Sequence, residues 1–153
     1  MKDRAAQQVR RVAVTDPVAA DRRYDYADAF EVRLPSPDPY PPQTWVRAGL
    51  DATPKVVGWI VALLGLREAR EPTAGLLGPF RVVEMGPEVI HLEASVPLMR
   101  VVMVGRNAEP SRRMLTTVLR YDRPVLARLV WAVMGIPHRR TAPRIIAAGI
   151  STG

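Results

Sequence analysis

The residues best suited to acid–base chemistry are the two histidines of the chain, His91 and His138. His91 precedes Glu93 by two positions, so in an extended strand both side chains point to the same face and can interact. A histidine–carboxylate pair of this kind titrates near neutral pH and can transfer a proton. Ile90 and Leu92 mark the opposite face as the core side, however, and they favour a solvent-facing strand surface for the pair.

His138 follows Pro137 and precedes two arginines near the end of a predicted helix. Unpaired carbonyl groups favour a cation there, so helix capping or a basic surface explains this histidine as well as catalysis does. The chain has no cysteine, and neither histidine has carboxylates at ligand spacing. The sequence therefore predicts no metal site and no cofactor. It also contains no P-loop, dinucleotide-binding or nucleophile-elbow motif.

Arg100 is the third candidate for chemistry, because its predicted strand face also carries Val102 and Val104. We expect it to be partly buried, and a buried arginine needs a carboxylate or an anionic ligand beside it. A structural ion pair with Glu84 or Glu93 is the favoured interpretation, and a ligand anion is the alternative.

The elements that position these residues follow a simple order of strand, two helices, four or more strands and a long helix. Alternating polarity indicates a first strand at 30–34, and helices are predicted at 43–52 and 54–66. Further strands are predicted at 80–85, 88–95, 98–106 and 112–122. Consecutive strands with short turns pair antiparallel, so the fold class is α+β with the helices on one face of the sheet.

The last helix is the most apolar element, since Arg128 is the only charged residue between Pro124 and Ile136. A helix apolar on almost every side must be wrapped by protein or lie in lipid. We expect it to cross the sheet, because no other segment is apolar enough to cover that face. Pro137 is expected to kink or break it, leaving a second helical piece near 142–150.

The bulk composition is that of one globular domain. We expect a loosely packed arm at 1–23 and a single domain at 24–150 in the 153-residue chain. The net charge of +7 is concentrated from Arg106 onward, without the interleaved aromatics that stack bases, so nucleic acid is not the expected partner. No apolar run approaches the length of a membrane span. We expect a soluble cytoplasmic protein, and self-association is left open.

Four short motifs give the chain a likeness to a known superfamily: Asp25-Tyr-Ala-Asp-Ala-Phe30, Gly78-Pro-Phe80, Thr116-Thr-Val-Leu-Arg-Tyr121 and Pro137-His-Arg139. Their order resembles an uncharacterised bacterial family, a domain of unknown function, over roughly 24–150. That family lies within the helix-grip superfamily, which includes START lipid-transfer domains, polyketide cyclases and birch-pollen-allergen proteins (SRPBCC). The resemblance implies a curved antiparallel sheet wrapped on the C-terminal helix, with a hydrophobic cavity between them. It implies no catalytic residue.

The leading functional hypothesis is a binding module that holds an apolar or amphipathic small molecule or lipid in that cavity. One alternative is a cyclase- or isomerase-type enzyme that uses polar residues of the cavity, and another is peripheral binding to anionic membrane through Arg139, Arg140 and Arg144. The candidate lining residues are Met99, Arg100, Val101, Met103, Tyr121, Trp131, Met134 and Trp59. The weaker polar candidates are His91, Glu93 and His138.

Overall fold

A computed structural model of the chain describes residues 9–20, 23–52, 75–77, 80–96 and 98–148. The helices within them are α1 (Pro17–Ala20), α2 (Pro42–Asp51) and α3 (Pro124–Ile146). The strands are β1 (Arg10–Val12), β2 (Tyr26–Arg33), β3 (Leu76–Leu77), β4 (Phe80–Met85), β5 (Val89–Val96), β6 (Met99–Glu109) and β7 (Arg112–Tyr121). The helix predicted at 54–66, with Trp59 in it, lies outside this part of the chain.

The seven strands of the described residues form one antiparallel sheet in the order β1-β2-β7-β6-β5-β4-β3. The predicted α+β class with an antiparallel sheet is confirmed. The run from β4 to β7 follows chain order, whereas β2 joins it by pairing with β7. The two strands missing from the sequence prediction are the edge strands β1 and β3, which are three and two residues long and too short to show an alternating pattern.

The two longer helices pack on the same side of the sheet, which we call the inner face. Side chains of α2 and of the end of α3 meet Phe30, Leu92 and Leu115 of the strands in one buried cluster. Strand positions two residues apart share a face, so the inner face also carries Tyr26, Asp28, Met103 and Thr117. This is the face that the apolar terminal helix was expected to cover.

The opposite, outer face is covered near its centre by the N-terminal segment. Ala19 of α1 packs on Val102, Val104 and Val118, with Val14 and Val18 at the margin of this cluster. Arg106 anchors the segment, because its Nε donates to Oδ2 of the buried Asp16 at 2.9 Å. Residues 9–20 of the predicted arm thus pair with and pack on the sheet.

Pro137 was expected to kink or break the terminal helix; the helix is continuous, so a break into two pieces at Pro137 is wrong. α3 runs for 23 residues through Pro137 and Pro143. An internal proline removes a hydrogen bond and costs about 3 kcal/mol. Contacts on both sides of Pro137 offset this cost, because Trp131 and His138 pack together before and after it. Farther along, Ala142, Ile145 and Ile146 are buried in the core.

Two anchors fix the end of α3 against the rest of the fold. At Gly49 of α2, an added Cβ would lie 2.5 Å from the Cα of Ile145, so the two helices touch through their backbones. Arg113 of β7 donates from Nε to Asp38 at 2.5 Å and from Nη1 to the carbonyl groups of Ile146 and Ala148. It thereby satisfies carbonyl groups that a helix end leaves unpaired.

The edge strand β1 is held by Glu31, a buried carboxylate of the outer face. Glu31 accepts hydrogen bonds from Arg10 and Arg112. The hydrogen bond from Arg10 is the main cause that lowers the pKa of Glu31 below its ordinary value, with the charges of both arginines adding and burial opposing. The stability that this carboxylate contributes is therefore present above the ordinary glutamate pKa and is lost as the pH falls through the lowered value.

We expect Glu31→Gln to reduce the free energy of unfolding at neutral pH, and the difference from the wild type to vanish on acidification through the lowered pKa. Chemical denaturation across an acidic pH series measures it. Glu84→Gln is the control, because Glu84 is an exposed glutamate of β4. A difference that persists unchanged in acid would contradict this account.

Candidate functional site

A polar cluster lies on the inner face beneath the middle of α3. Asp28 of β2 and Thr117 of β7 are directly opposed in the register of the two strands. The hydroxyl group of Tyr26 donates to Oδ2 of Asp28 at 2.8 Å. From the helix, Nε2 of His138 lies 3.0 Å from Oδ2 and 3.3 Å from Oδ1 of the same carboxylate. We call Tyr26, Asp28, Thr117 and His138 the polar cluster.

The alternation of β2 explains why a carboxylate is found so deep. Asp28 shares its face with Phe30 and Val32, and its side chain is 0% exposed. A buried carboxylate is costly unless hydrogen bonds replace its hydration. Tyr26 and His138 supply them. Because a carboxylate only accepts, Nε2 of His138 carries the hydrogen that it shares with Asp28, and Nδ1 remains the second polar atom of the ring.

Trp131 closes the cluster on the helix side. Its ring centroid lies 4.9 Å from that of Tyr26 and 5.1 Å from that of His138, and both contacts are tilted. Trp131 and His138 are two turns apart on α3 and therefore share a helix face. Packing against one indole fixes the orientation of the tyrosine and the histidine together.

The phenol of Tyr26 is held in its neutral, donating form. Burial raises the pKa of Tyr26 above its ordinary value, and the hydrogen bond to Asp28 and the charge of Asp28 raise it further, while Arg11 and Arg139 oppose. The stability linked to this group is present below the ordinary tyrosine pKa and is lost as the pH rises through the raised value.

Thr117 has a different status, because its Oγ1 is buried and has no hydrogen-bond partner among the described residues. A buried hydroxyl without a partner costs about 1–3 kcal/mol relative to one that is paired. Thr117 is paired with Asp28 on the neighbouring strand β2 and with Met103 on the other neighbouring strand, β6. The preceding residue, Thr116, also has a buried hydroxyl without a partner among the described residues, but it lies on the outer face.

The polar cluster separates two apolar regions of the inner face. On one side, Phe30, Leu115 and Met103 belong to the closed core under α2 and the end of α3. On the other side, the buried Met99, Leu119 and Ala127 are surrounded by side chains that remain partly exposed. We call this second region the lower cluster; its partly exposed members are Tyr26, Leu98, Val101, Tyr121, Val130 and Trp131.

Several predicted lining residues meet in or next to this region. Met99, Val101, Tyr121 and Trp131 belong to the lower cluster, and Met103 lies at the boundary with the closed core. Burial raises the pKa of the Tyr121 phenol, and the charge of Asp25 adds to this effect. Met134 is partly buried on α3, and His138 lies in the polar cluster.

The other polar candidates lie on the outer face, away from α3. His91 and Glu93 form the predicted pair, with 3.1 Å between Nε2 and Oε1, and Arg81 lies 3.4 Å from the other carboxylate oxygen. His91 is buried, although a solvent-facing strand surface was predicted.

The expected partial burial of Arg100 is wrong. Arg100 is exposed directly across from Arg120, because Ala19 covers Val102 and Val104 but not the strand end that carries Arg100.

Three members of the polar cluster were not predicted as site residues: Tyr26, Asp28 and Thr117. The motif that contains Tyr26 and Asp28 entered the sequence analysis only through the family resemblance, with no role for either side chain. The available signal was the period of two, which places Asp28 on the same face as Phe30 and Val32 and so marks a carboxylate in a core position.

The arrangement can do two things chemically. It can hydrogen-bond the polar end of a molecule whose apolar part lies on the lower cluster, and its aspartate–histidine pair can hold an imidazole in one tautomer for proton transfer. No group of His, Cys, Asp and Glu within the described ranges is arranged to hold a metal ion. None of the helices described here is long and apolar enough to cross a membrane. Comparisons with family models, curated proteins and solved structures find no match to the chain.

Proposed function

We propose that the protein binds an apolar or amphipathic small molecule between the sheet and α3, with the polar end of the molecule at the polar cluster. The observation that carries this proposal is the buried hydroxyl of Thr117, which has no partner in the described structure and lies beside a fully buried carboxylate. A ligand atom that both donates and accepts would satisfy it. Sites for small molecules typically combine an apolar lining with a few such polar groups.

The lower cluster supplies the apolar side of the proposed site. Val101, Tyr121 and Trp131 are partly exposed around a buried floor, whereas the closed core on the other side of Asp28 leaves little surface free. An amphipathic molecule would therefore extend from Thr117 toward the start of α3. Methionine at positions 99 and 103 suits a lining that adapts to its ligand.

We also propose that the fold is of the helix-grip type. The antiparallel sheet with a long C-terminal helix across its inner face supports this assignment. The order along the chain supports it as well, because α2 follows the first long strand and precedes the meander of strands. The cavity expected of that superfamily is part of the same proposal.

Two threonines offer a matched test of ligand binding. We expect Thr117→Val to weaken binding of dansyl-labelled undecanol, whose hydroxyl both donates and accepts, about tenfold, since one buried hydrogen bond contributes about 1.4 kcal/mol. Thr116→Val should leave the affinity unchanged, because its hydroxyl is equally buried but lies on the outer face. Fluorescence titration measures both, and native mass spectrometry of the purified chain looks for a ligand that it retains. Equal losses in the two variants, or no binding at all, would overturn the proposal.

A cyclase- or isomerase-type enzyme is the second candidate function, and the inward-facing Asp28–His138 pair specifically favours it. Any molecule recovered from the protein should then be converted by the wild type and not by His138→Gln. If the recovered molecule is bound but unchanged by the wild type, the binding function stands and the enzymatic one fails.

A further inference from the structure

The outward side of α3, opposite the sheet, carries a row of exposed apolar side chains. Their exposed fractions run from 47% to 74%. These side chains follow one another at a spacing of one, three or four residues. At 3.6 residues per turn, this spacing places them in one stripe along about three turns of the helix. We call this the apolar stripe; it consists of Val125, Leu126, Leu129, Val133 and Ile136.

This stripe is unusual for a surface helix in water. The sequence predicts that protein surrounds this helix. On the side that faces the sheet Ala127, Gly135 and Ala142 are buried, but no described residue covers the outward side. Contiguous exposed apolar surface generally marks a place where a protein meets another molecule or a membrane. What covers the stripe has to be inferred from the charges around it.

Every charged residue of α3 is an arginine, and so is the N-cap residue before it: Arg123 at the N-cap, then Arg128, Arg139, Arg140 and Arg144. All of them are exposed. At 3.6 residues per turn, Arg140 continues the line of the apolar stripe, and Arg128 and Arg139 flank it on one side. The outward surface of α3 is therefore apolar in its first half and basic at both ends, with no acidic side chain of its own.

We propose that this surface docks on an anionic lipid bilayer, with the apolar stripe at the level of the acyl-chain boundary and the arginines at the headgroups. Helices at membrane interfaces combine apolar and basic residues in this way. Long arginine side chains can reach the phosphates while their stems stay near the apolar surface. The apolar stripe lies on the other side of α3 from the ligand site, although the charges of Arg128 and Arg139 also act on Tyr121 and Tyr26 of that site.

A second copy of the chain fits the surface less well. Helices paired across a twofold axis would bring arginine-bearing ends together without an acidic residue on either helix, and like charges facing each other oppose association. An anionic bilayer instead provides negative charge along the whole length of the helix, about 35 Å at 1.5 Å per residue for its 23 residues. The charge pattern thus favours lipid.

The test is co-sedimentation of the full chain with vesicles of phosphatidylcholine, alone or mixed with phosphatidylglycerol, at low and high salt. We expect binding to the mixed vesicles only, and weaker binding at high salt because the arginine contribution is screened. Arg140→Gln/Arg144→Gln should lower the partition coefficient about 25-fold, at about fivefold per arginine. Leu129→Ser/Val133→Ser should lower it at least tenfold through lost apolar burial.

Matched controls separate this surface from general basicity. Arg11→Gln/Arg47→Gln removes two exposed arginines elsewhere, and Val83→Ser removes an exposed apolar side chain of β4. Both should bind as the wild type does. All substituted positions are exposed, and circular dichroism checks that each variant folds.

Several results would overturn the proposal. Equal binding to neutral vesicles, equal losses in the controls, or no sedimentation with lipid would each do so. A dimer in light scattering that Leu129→Ser/Val133→Ser dissociates, without lipid binding, would assign the stripe to a second copy. If the chain is a monomer that does not bind lipid, and the apolar stripe cross-links to residues 53–74, then the chain itself covers the stripe.

Discussion

Replacing Arg113 by methionine should lower the free energy of unfolding by about 3–5 kcal/mol, the cost of breaking a buried ion pair from one side. The Arg113 and Asp38 side chains are 1% and 2% exposed, so the aspartate would keep a buried charge without its partner. The carbonyl groups of Ile146 and Ala148 would lose a donor as well, and the cation would no longer lie over the ring of Trp45. Urea denaturation followed by circular dichroism measures the loss.

The control for this prediction is Arg47→Met, which removes an exposed arginine from α2. It should change stability by no more than about 0.5 kcal/mol. The double variant Arg113→Met/Asp38→Leu should regain part of the loss, because both members of the buried pair are then apolar. If Arg113→Met costs no more than Arg47→Met, the ion pair does not fasten the end of α3.

The second large effect is expected at Gly49, where α2 crosses the end of α3. Gly49→Val should destabilise the protein by about 3 kcal/mol, since even the first added carbon would approach the Cα of Ile145 to 2.5 Å and its Cβ to 2.9 Å. The atoms in the way belong to backbone and to a buried β-branched residue, so the helices must separate to admit the side chain. Thermal and urea unfolding measure the change.

Ala48→Val provides the comparison, because it places the same side chain at the neighbouring exposed position of α2. Only the lower helix propensity of valine should count there, at about 0.5 kcal/mol. Similar losses in the two variants would mean that the close approach of the two helices is not what limits residue 49.

The sequence predicted the part of the fold in which local patterns and tertiary packing agree. The strands β4 to β7 lie close to their predicted bounds, because alternating side chains and short turns specify a meander locally. The start of α3 at Pro124 follows from the preference of proline for the first helical turn. Its continuation past Pro137 was not predictable in this way, because the contacts that offset the proline come from β2 and from the core.

The candidate site was predictable only in part. Methionines and valines of β6 and the aromatic residues at 121 and 131 could be chosen as lining residues, because the strand period and the apolar helix indicate which side faces inward. The polar cluster could not be assembled, since the pairing of β2 with β7 brings Asp28 beside Thr117 and no local pattern specifies that pairing. The prediction that Arg100 is partly buried failed for a related reason. Its exposure depends on how far α1 extends over the outer face, and no local pattern specifies this.

The pairing of β2 with β7 also bears on how the protein folds. The meander from β4 to β7 forms through contacts between neighbours in the chain, whereas β2 can join only by closing a loop that contains α2 and most of the sheet. Closing such a loop carries an entropic cost before any contact rewards it, so it is the slow step expected of this topology. Asp28 and His138 are 110 positions apart and meet only after that closure. The polar cluster therefore does not exist in a folding intermediate that consists of the meander alone, and a ligand held there would bind only chains that have completed the slow step.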